Sequence, residues 1–571
     1  MSVEAKKKIA ILGGGVGSMA TAFSLTSQPG WQDRFEITVY QMGWRIGGKG
    51  ASGRNPDVHQ RIEEHGLHIW LGFYENAFRA MRECYGELKR PKGAPLAAWD
   101  DAFKKHVDVG FMEHVGDRWI PWMFHFPTDD RVPGDPGGPP VPALWTYLKK
   151  LVEWIFGHLT SLPLAPSTAN DIGSLHQESW LESTLSELGH DLHAIVDELA
   201  VAGVEAGAAM AHLAKKVIDS LGDDPRQHSA AHHQALGRML EELLRWLEKK
   251  VEGALETDDV LRRGYILIGL SVAIVSGMLD DGVLFHGLGV IERYEWIAWL
   301  KKHGASEYLV TSPPVRGLYD LVFAFEKGKL DAPNFAAGTA LRSIFSILLD
   351  WKGAIFWKMQ AGMGDTVFGP FYEVLDRRGV RFEYFHKVEE LRLSEDRKNV
   401  ASIRVGRQVD LAPGRTKYEP LVDVLGLPCW PSVPSWDQLD AKQVKEIREQ
   451  KVDLESYYAD WKPVETRTLE RGRDFDVVVL AIPPGAHRII ASDLMTLPRW
   501  RDMVDRVATV QTQAQQLWLK PDLAALGWNG PSPVVDAFAD PMNTWADMSQ
   551  LIVRETWPEG AIGNVAYFCG P

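Results

Sequence analysis

The sequence predicts an α/β protein: a discontinuous Rossmann-like nucleotide-binding domain with a large, mainly helical substrate domain inserted into it. Three observations predict this. The chain opens with a short apolar strand, a glycine-rich turn, a helical stretch and a second strand. Its middle changes to helical periodicity, and strands return only after Gly362. The expected boundaries are 1–76 and 355–490 for the nucleotide-binding domain, 77–354 and 491–571 for the substrate domain, and 411–470 for a surface insertion.

Residues 8–12 supply the first strand, 19–25 carry helix formers before the Gln28-Pro29-Gly30 breaker, and 35–41 read as the second strand. From about Ala77 to Trp351 a Pro/Gly stretch at 127–142 precedes mostly helical spacing, clearest at 236–255, where apolar residues recur with charged ones between them. The later α/β part consists of a helix ending near Arg378, a Gly379 cap, and strands at 380–385, 391–393, 401–405 and 475–482. A proline-punctuated loop at 427–436 and a polar helix from about Gln438 interrupt it.

Composition narrows the function. The chain has 571 residues, 45% of them hydrophobic, enough for two or three interleaved domains with substantial cores. A formal net charge of -14 provides no basic field for phosphates, so no nucleic-acid partner is expected. Three cysteines, Cys84, Cys429 and Cys569, are too scattered for a zinc pattern and too few to staple the fold, which fits a reducing compartment. MSVEAKKKIAIL runs from a basic patch into a strand without a signal-peptide core, so the expectation is cytoplasmic. The apolar run 265–279 is shorter than the ~20 residues of a membrane crossing and reads as a buried helix. Tryptophans (22) outnumber tyrosines (14), which suits a small apolar ligand as well as ordinary core packing.

Gly13-Gly14-Gly15-Val16-Gly17-Ser18 matches GxGxxG with serine last. Gly13 permits the sharp turn, Gly15 lets a pyrophosphate approach backbone N–H groups, and the third position allows close helix–strand packing, which Ser18 can nearly provide, with Gly17 just before it. The alternative is a tight strand–helix turn that holds nothing. At the end of the second strand, where a carboxylate ordinarily receives the adenosine ribose, stands Gln41, whose amide accepts a hydrogen bond without the strengthening charge. Next comes Arg45-Ile46-Gly47-Gly48-Lys49-Gly50-Ala51-Ser52: Gly47 and Gly48 let backbone come close to a ligand, and Arg45 and Lys49 add positive charge.

This RxGG(K)xxS segment after the second strand resembles the signature of the FAD-dependent superfamily of amine oxidases, protoporphyrinogen oxidase and carotenoid desaturases. The resemblance extends through Glu64-His65-Gly66-Leu67-His68-Ile69-Trp70-Leu71-Gly72-Phe73-Tyr74-Glu75-Asn76, similar to the E-x-GLH segment of phytoene and zeta-carotene desaturases. It implies FAD as cofactor, with Gly66, Leu67 and His68 near the isoalloxazine ring; a structural, hydrogen-bonded His68 is the other reading. Ala361-Gly362-Met363-Gly364-Asp365 resembles the family's G-G-M segment, Val388 then falls where backbone meets the adenine, and 475–484 resembles the strand and A-x-P turn that bring Ala481 beside the cofactor. The implied activity is hydride removal from an apolar isoprenoid or lipid. An amine or amino-acid oxidase, a non-redox isomerase and a non-catalytic subunit are the alternatives, and no catalytic side chain is assigned. These flavoproteins finish with an apolar strand, a Gly-Asp pair and a glycine-rich helix, whereas this sequence stops at Val565-Ala566-Tyr567-Phe568-Cys569-Gly570-Pro571. The expectation is therefore a C-terminal fragment or second chain that completes the FAD site.

Weaker constellations point to nothing catalytic. His228 with His232, and Glu187 with His190, have helical spacing but lack the further ligands of a metal site, so no metal is expected. The aromatic-rich segment 144–156, with two lysines, reads either as core packing or as a peripheral membrane contact.

Overall fold

The computed structural model describes residues 5–135, 143–159, 162, 186 and 206–571. Its organising element is a four-stranded parallel sheet in the order Arg381–Glu383, Phe35–Tyr40, Lys7–Leu12, Val477–Leu480. The first strand shows why this sheet lies in the interior. Ile9 and Ile11 point into one core with Met19, Phe23, Ile37 and Val39, while Ala10 and Leu12 point into another with Val388, Leu391, Ile403 and Val405. An apolar run covered on both faces is what a central parallel strand requires. The helix Val16–Thr26 follows the glycine turn, and Phe23 meets Phe371 of the helix Gly369–Arg378 edge-on at 5.3 Å. Gly379, at φ 92°, closes that second helix in the left-handed conformation.

Two expectations are refined. The section 77–354 is mainly helical among its described residues, but it also carries strands. It contributes Asp108–Val115 and Arg118–His125 to a six-stranded mixed sheet completed by Val534–Asp536, Thr544–Asp547, Asn564–Gly570 and Gln513–Leu519. The pairing of Val534 with Val109 is parallel, and all other pairs are antiparallel. Helices occupy the rest of this section: Leu144–Leu159, Ala206–Ser220, Ala230–Val251 and Asp259–Asp280 pack around one apolar core. Asp259–Asp280 is long and apolar enough to cross a membrane, but 72% of its apolar window is buried against this protein. Trp145, Tyr147, Leu148, Val152 and Ile155 are also buried there, so core packing accounts for the aromatic-rich segment's inner face.

The segment 411–470 is likewise more than a surface insertion. Cys429, Trp430, Leu439, Ile447 and Leu454 are buried in the same core as the parallel sheet. Trp430 Nε1 donates to the Gly364 carbonyl at 3.2 Å, and Trp44 Nε1 donates to the Pro431 carbonyl at 2.9 Å. Four indole and carbonyl groups are satisfied across the junction, which fixes the segment against the nucleotide-binding turn. Glu187, His190 and the end of the Pro/Gly stretch lie outside the described residues.

Candidate functional site

The glycine turn is built by two backbone hydrogen bonds: Gly13 N–H to the Tyr40 carbonyl at 2.9 Å, and Ala481 N–H to the Leu12 carbonyl at 3.0 Å. Gly13 adopts φ 95°, and a Cβ there would stand 3.3 Å from the Ala481 carbonyl oxygen and 3.2 Å from Ile482 Cγ1. Ala481 thus fills the space against the turn, and its Cβ lies 4.0 Å from where one would stand on Gly17. Ser18, fully buried, turns its hydroxyl back to the Gly13 carbonyl. The hydroxyl is satisfied inside the turn, which explains why serine serves at the last position of the motif. The helix begins at Val16 with Gly15 as N-cap and no side-chain cap, and Val16 itself is 61% exposed. Its first-turn N–H groups are therefore available to an anion.

The second glycine turn folds back onto the first. Gly47 N–H donates to the Gly14 carbonyl at 2.8 Å, Gly15 and Gly47 form an isolated parallel bridge, and a Cβ on Gly48 would meet Gly15 Cα at 3.2 Å. Gly47 and Gly48 have φ 131° and 57°, conformations that side chains rarely take. Two side-chain-free backbones thus flank one helix start, a cradle suited to a pyrophosphate. Lys49 is exposed at its rim.

Arg45 is arranged differently from the reading of a cation facing phosphate. Its Nε lies 3.1 and 3.0 Å from the two carboxylate oxygens of Glu455, and Nη2 lies 2.8 Å from Oε2. Burial raises the Glu455 pKa, and the Arg45 guanidinium opposes that shift. The charge of Arg45 is therefore largely compensated. Gln41 donates its backbone N–H to the Glu383 carbonyl at 2.9 Å, and its Oε1 lies 2.5 Å from where a Cβ on Gly14 would stand. Its amide leans over the glycine turn.

The segment Glu64 to His68 lies between the parallel sheet and the six-stranded sheet. Gly66 has φ 89° and faces Cys569 of the last strand, and Leu67 packs into a core with Ile62, Trp351, Val565 and Tyr567. His65 Nε2 contacts Thr512 Oγ1 at 2.8 Å. His68 places Nε2 3.3 Å from the Lys49 carbonyl and Nδ1 3.4 Å from Glu64 Oε2, so it links the two glycine-containing segments. Glu64 Oε2 also accepts the Met363 N–H at 3.0 Å. Burial lowers the His68 pKa, but the Glu64 carboxylate and the Lys49 carbonyl outweigh it and leave it raised. Val388 is buried in the strand His386–Leu393, whose His386 N–H donates to the Gln41 carbonyl at 2.8 Å.

The structure thus brings Gly13, Gly15, Gly17, Ser18, Gln41, Gly47, Gly48 and Ala481 around one turn. Lys49 and His68 join it through one contact, and Val388 through the strand that begins beside Gln41. Glu455 and Cys569 had no sequence signal, since each arrives from hundreds of residues away. The histidine pair dissolves: His228 precedes the helix that holds His232 and instead meets His233 at 3.2 Å. No group of three or more potential metal ligands occurs among the described residues. The three cysteines are buried and form no disulfide.

Residues 11–84 match the family model of the NAD(P)-binding Rossmann-like domain. Over 82 residues, 14% of this chain, the sequence is 37% identical to the chloroplastic/chromoplastic zeta-carotene desaturase of Capsicum annuum. The chain covers 13% of the length of that relative. Two solved structures are similar at 11% identity: an oxidoreductase from Methanosarcina mazei, with TM-score 0.39 over 99% of this chain and 78% of that one, and a Pyrococcus furiosus protein, with TM-score 0.32 over 99% and 79%. The resemblance to the desaturase branch is upheld over the N-terminal segment, which is a Rossmann-like dinucleotide-binding domain.

Proposed function

We propose that this chain, whose N-terminal unit is a Rossmann-like domain similar to that of zeta-carotene desaturase, is an FAD-dependent oxidoreductase that removes hydride from an apolar, isoprenoid or lipid-like substrate. The observation that carries this reading is the contact between the two glycine turns, with Gly15 against Gly47 and Gly48 at an uncapped helix start. A cradle without side chains fits a pyrophosphate-linked dinucleotide. Gly13, Gly15, Gly17 and Ser18 would hold the pyrophosphate together with Gly47, Gly48 and Lys49, while Val388 would meet the adenine. Gly66, Leu67 and His68 would border the flavin ring, and Ala481 would close the turn behind it.

When bound, the flavin supplies a two-electron acceptor for hydride. The chain's own residues orient and enclose. Leu67, Ile69 and Leu71 pack against the core of Ile62, Trp351 and Tyr567 and would help to exclude water beside the ring. His68, held between the Glu64 carboxylate and the Lys49 carbonyl, would present a ring N–H group near that segment. Forming the double bond also requires a proton to leave the carbon next to the one that loses hydride, to water or to a side chain, and no side chain is assigned as its acceptor.

The test is the visible spectrum of the purified chain after incubation with FAD, followed by anaerobic mixing with polyenes and fatty acyl lipids. Bound flavin that bleaches on mixing, with a desaturated product, is the expected result. Bound flavin that never changes with any apolar donor, but yields hydrogen peroxide with amines, would replace this reading by an amine oxidase.

A further inference from the structure

Glu455 reaches the carboxyl end of the strand Phe35–Tyr40 from the segment 411–470. Its Cγ lies 2.4 Å, and its Oε1 2.8 Å, from where a Cβ on Gly43 would stand, so it fills the volume that a side chain two residues past Gln41 would take. The loop bearing it is fastened from three sides. Gln408 Nε2 donates to the Met42 carbonyl at 2.7 Å and to the Leu454 carbonyl at 2.9 Å, Asp453 Oδ1 accepts the Glu455 N–H at 2.9 Å, and Lys387, next to Val388, donates to the Tyr457 carbonyl at 2.6 Å. The Arg45–Glu455 pair keeps 20% and 23% of its side-chain surface exposed, so it is held in place with one side open.

A Rossmann strand ordinarily ends in a carboxylate that accepts ribose hydroxyls, and this one ends in an amide turned toward Gly14. We propose that Glu455 supplies that carboxylate from outside the Rossmann unit, accepting the adenosine ribose hydroxyls while Arg45 orients it. This rests on the dinucleotide reading above. It assigns Arg45 to positioning the carboxylate in place of binding phosphate, and it gives the segment 411–470 a part in cofactor selection.

The experiment is calorimetric binding of FAD, ADP and 2′,3′-dideoxy-ADP to the full chain and to its Glu455→Gln and Gln41→Ala variants. The wild type should prefer ADP over the dideoxy analogue by about tenfold or more, as a site built to pair a hydroxyl does. Glu455→Gln should reduce that preference to about twofold or less, and Gln41→Ala should keep it. The proposal is overturned if the wild type binds ADP and the analogue equally, or if Gln41→Ala loses the preference while Glu455→Gln retains it. A wild type that binds neither FAD nor ADP would instead overturn the dinucleotide reading, and this proposal with it. Circular dichroism establishes that Glu455→Gln is folded, and a folded Glu455→Gln that keeps the full preference for ADP overturns the proposal whatever Gln41→Ala does.

Discussion

Arg54 and Asp365 form an ion pair at 2.8 Å in which each side chain is 1% exposed. Arg54 belongs to the strand Ser52–Asn55 just beyond the second glycine turn, and Asp365 to the turn Gly364–Phe368 that precedes the helix Gly369–Arg378. The pair, together with the Gly364 N–H donated to Ser52 Oγ at 2.9 Å, ties the cradle to the return segment more than 300 residues later. Arg54 also donates to the Arg554 carbonyl at 2.6 Å, which brings the C-terminal region to the same point.

A buried charge deprived of its partner is costly, whereas an apolar pair of similar volume need not be. Asp365→Asn and Arg54→Met should each destabilise the protein by about 3–5 kcal/mol. A double substitution to Met and Leu should cost clearly less than their sum. Urea unfolding of the four proteins checks this, and full additivity would show that the two groups do not act as a pair.

Gly13→Ala should abolish dinucleotide binding while leaving the helical domain folded. The new methyl group would need φ 95° and would sit 3.3 Å from the Ala481 carbonyl oxygen, so the turn must open. A loss of at least tenfold in FAD affinity by fluorescence titration is expected. Unchanged affinity would place the dinucleotide elsewhere.

The parallel sheet is legible in the sequence because its strands are short apolar runs next to glycine turns, and the helix caps are legible at Gly379. The strands Asp108–Val115 and Arg118–His125 are not. The first buries Gly110 and Glu113, so it shows no apolar alternation. Glu113 tolerates burial only because Arg262 and Arg263 reach it at 2.8 and 3.0 Å, a fact of tertiary structure. Pro121 further hides the second strand, which is an edge strand where proline is accepted. At the site the turn that the glycines and Ser18 make could be read because its geometry is local. Arg45 could not, since its meaning depends on Glu455, 410 residues away.

His68 should titrate above the ordinary histidine range. Its burial acts downward, and the Glu64 carboxylate is the main upward influence, so Glu64→Gln should drop its midpoint below the usual value. A folded pKa raised above the unfolded one stabilises fully below the unfolded pKa, and that gain is lost as pH rises through the folded value. Wild type should therefore exceed Glu64→Gln in stability by about 1 kcal/mol at pH 5, with the gap closing above neutrality. Histidine NMR titration with denaturation at several pH values measures both, and a pH-independent gap would assign Glu64 to its Met363 hydrogen bond alone.

Asp320 loses stability in the same direction of pH, but here the substitution should stabilise. It lies on the helix Pro313–Val322, 1% exposed, accepts from Asn543 Nδ2 at 2.8 Å, and has Arg316 Nε at 3.6 Å. Burial, only partly offset by Arg316 and reinforced by Asp540, pushes its pKa up to about 7. The neighbouring Asp536, buried beside Thr544, is pushed up as well. A carboxyl raised in the folded state binds more protons folded than unfolded, so stability falls as pH rises from about 4 to about 7. Asp320→Asn removes that titration while keeping an acceptor for Asn543. The variant should match wild type near pH 4 and exceed it at pH 7.5 by on the order of 2–4 kcal/mol. Chemical denaturation across this range checks it, and a wild type that stays level or gains stability from pH 4 to 7 would mean that Asp320 is ionised in the fold through its Arg316 contact.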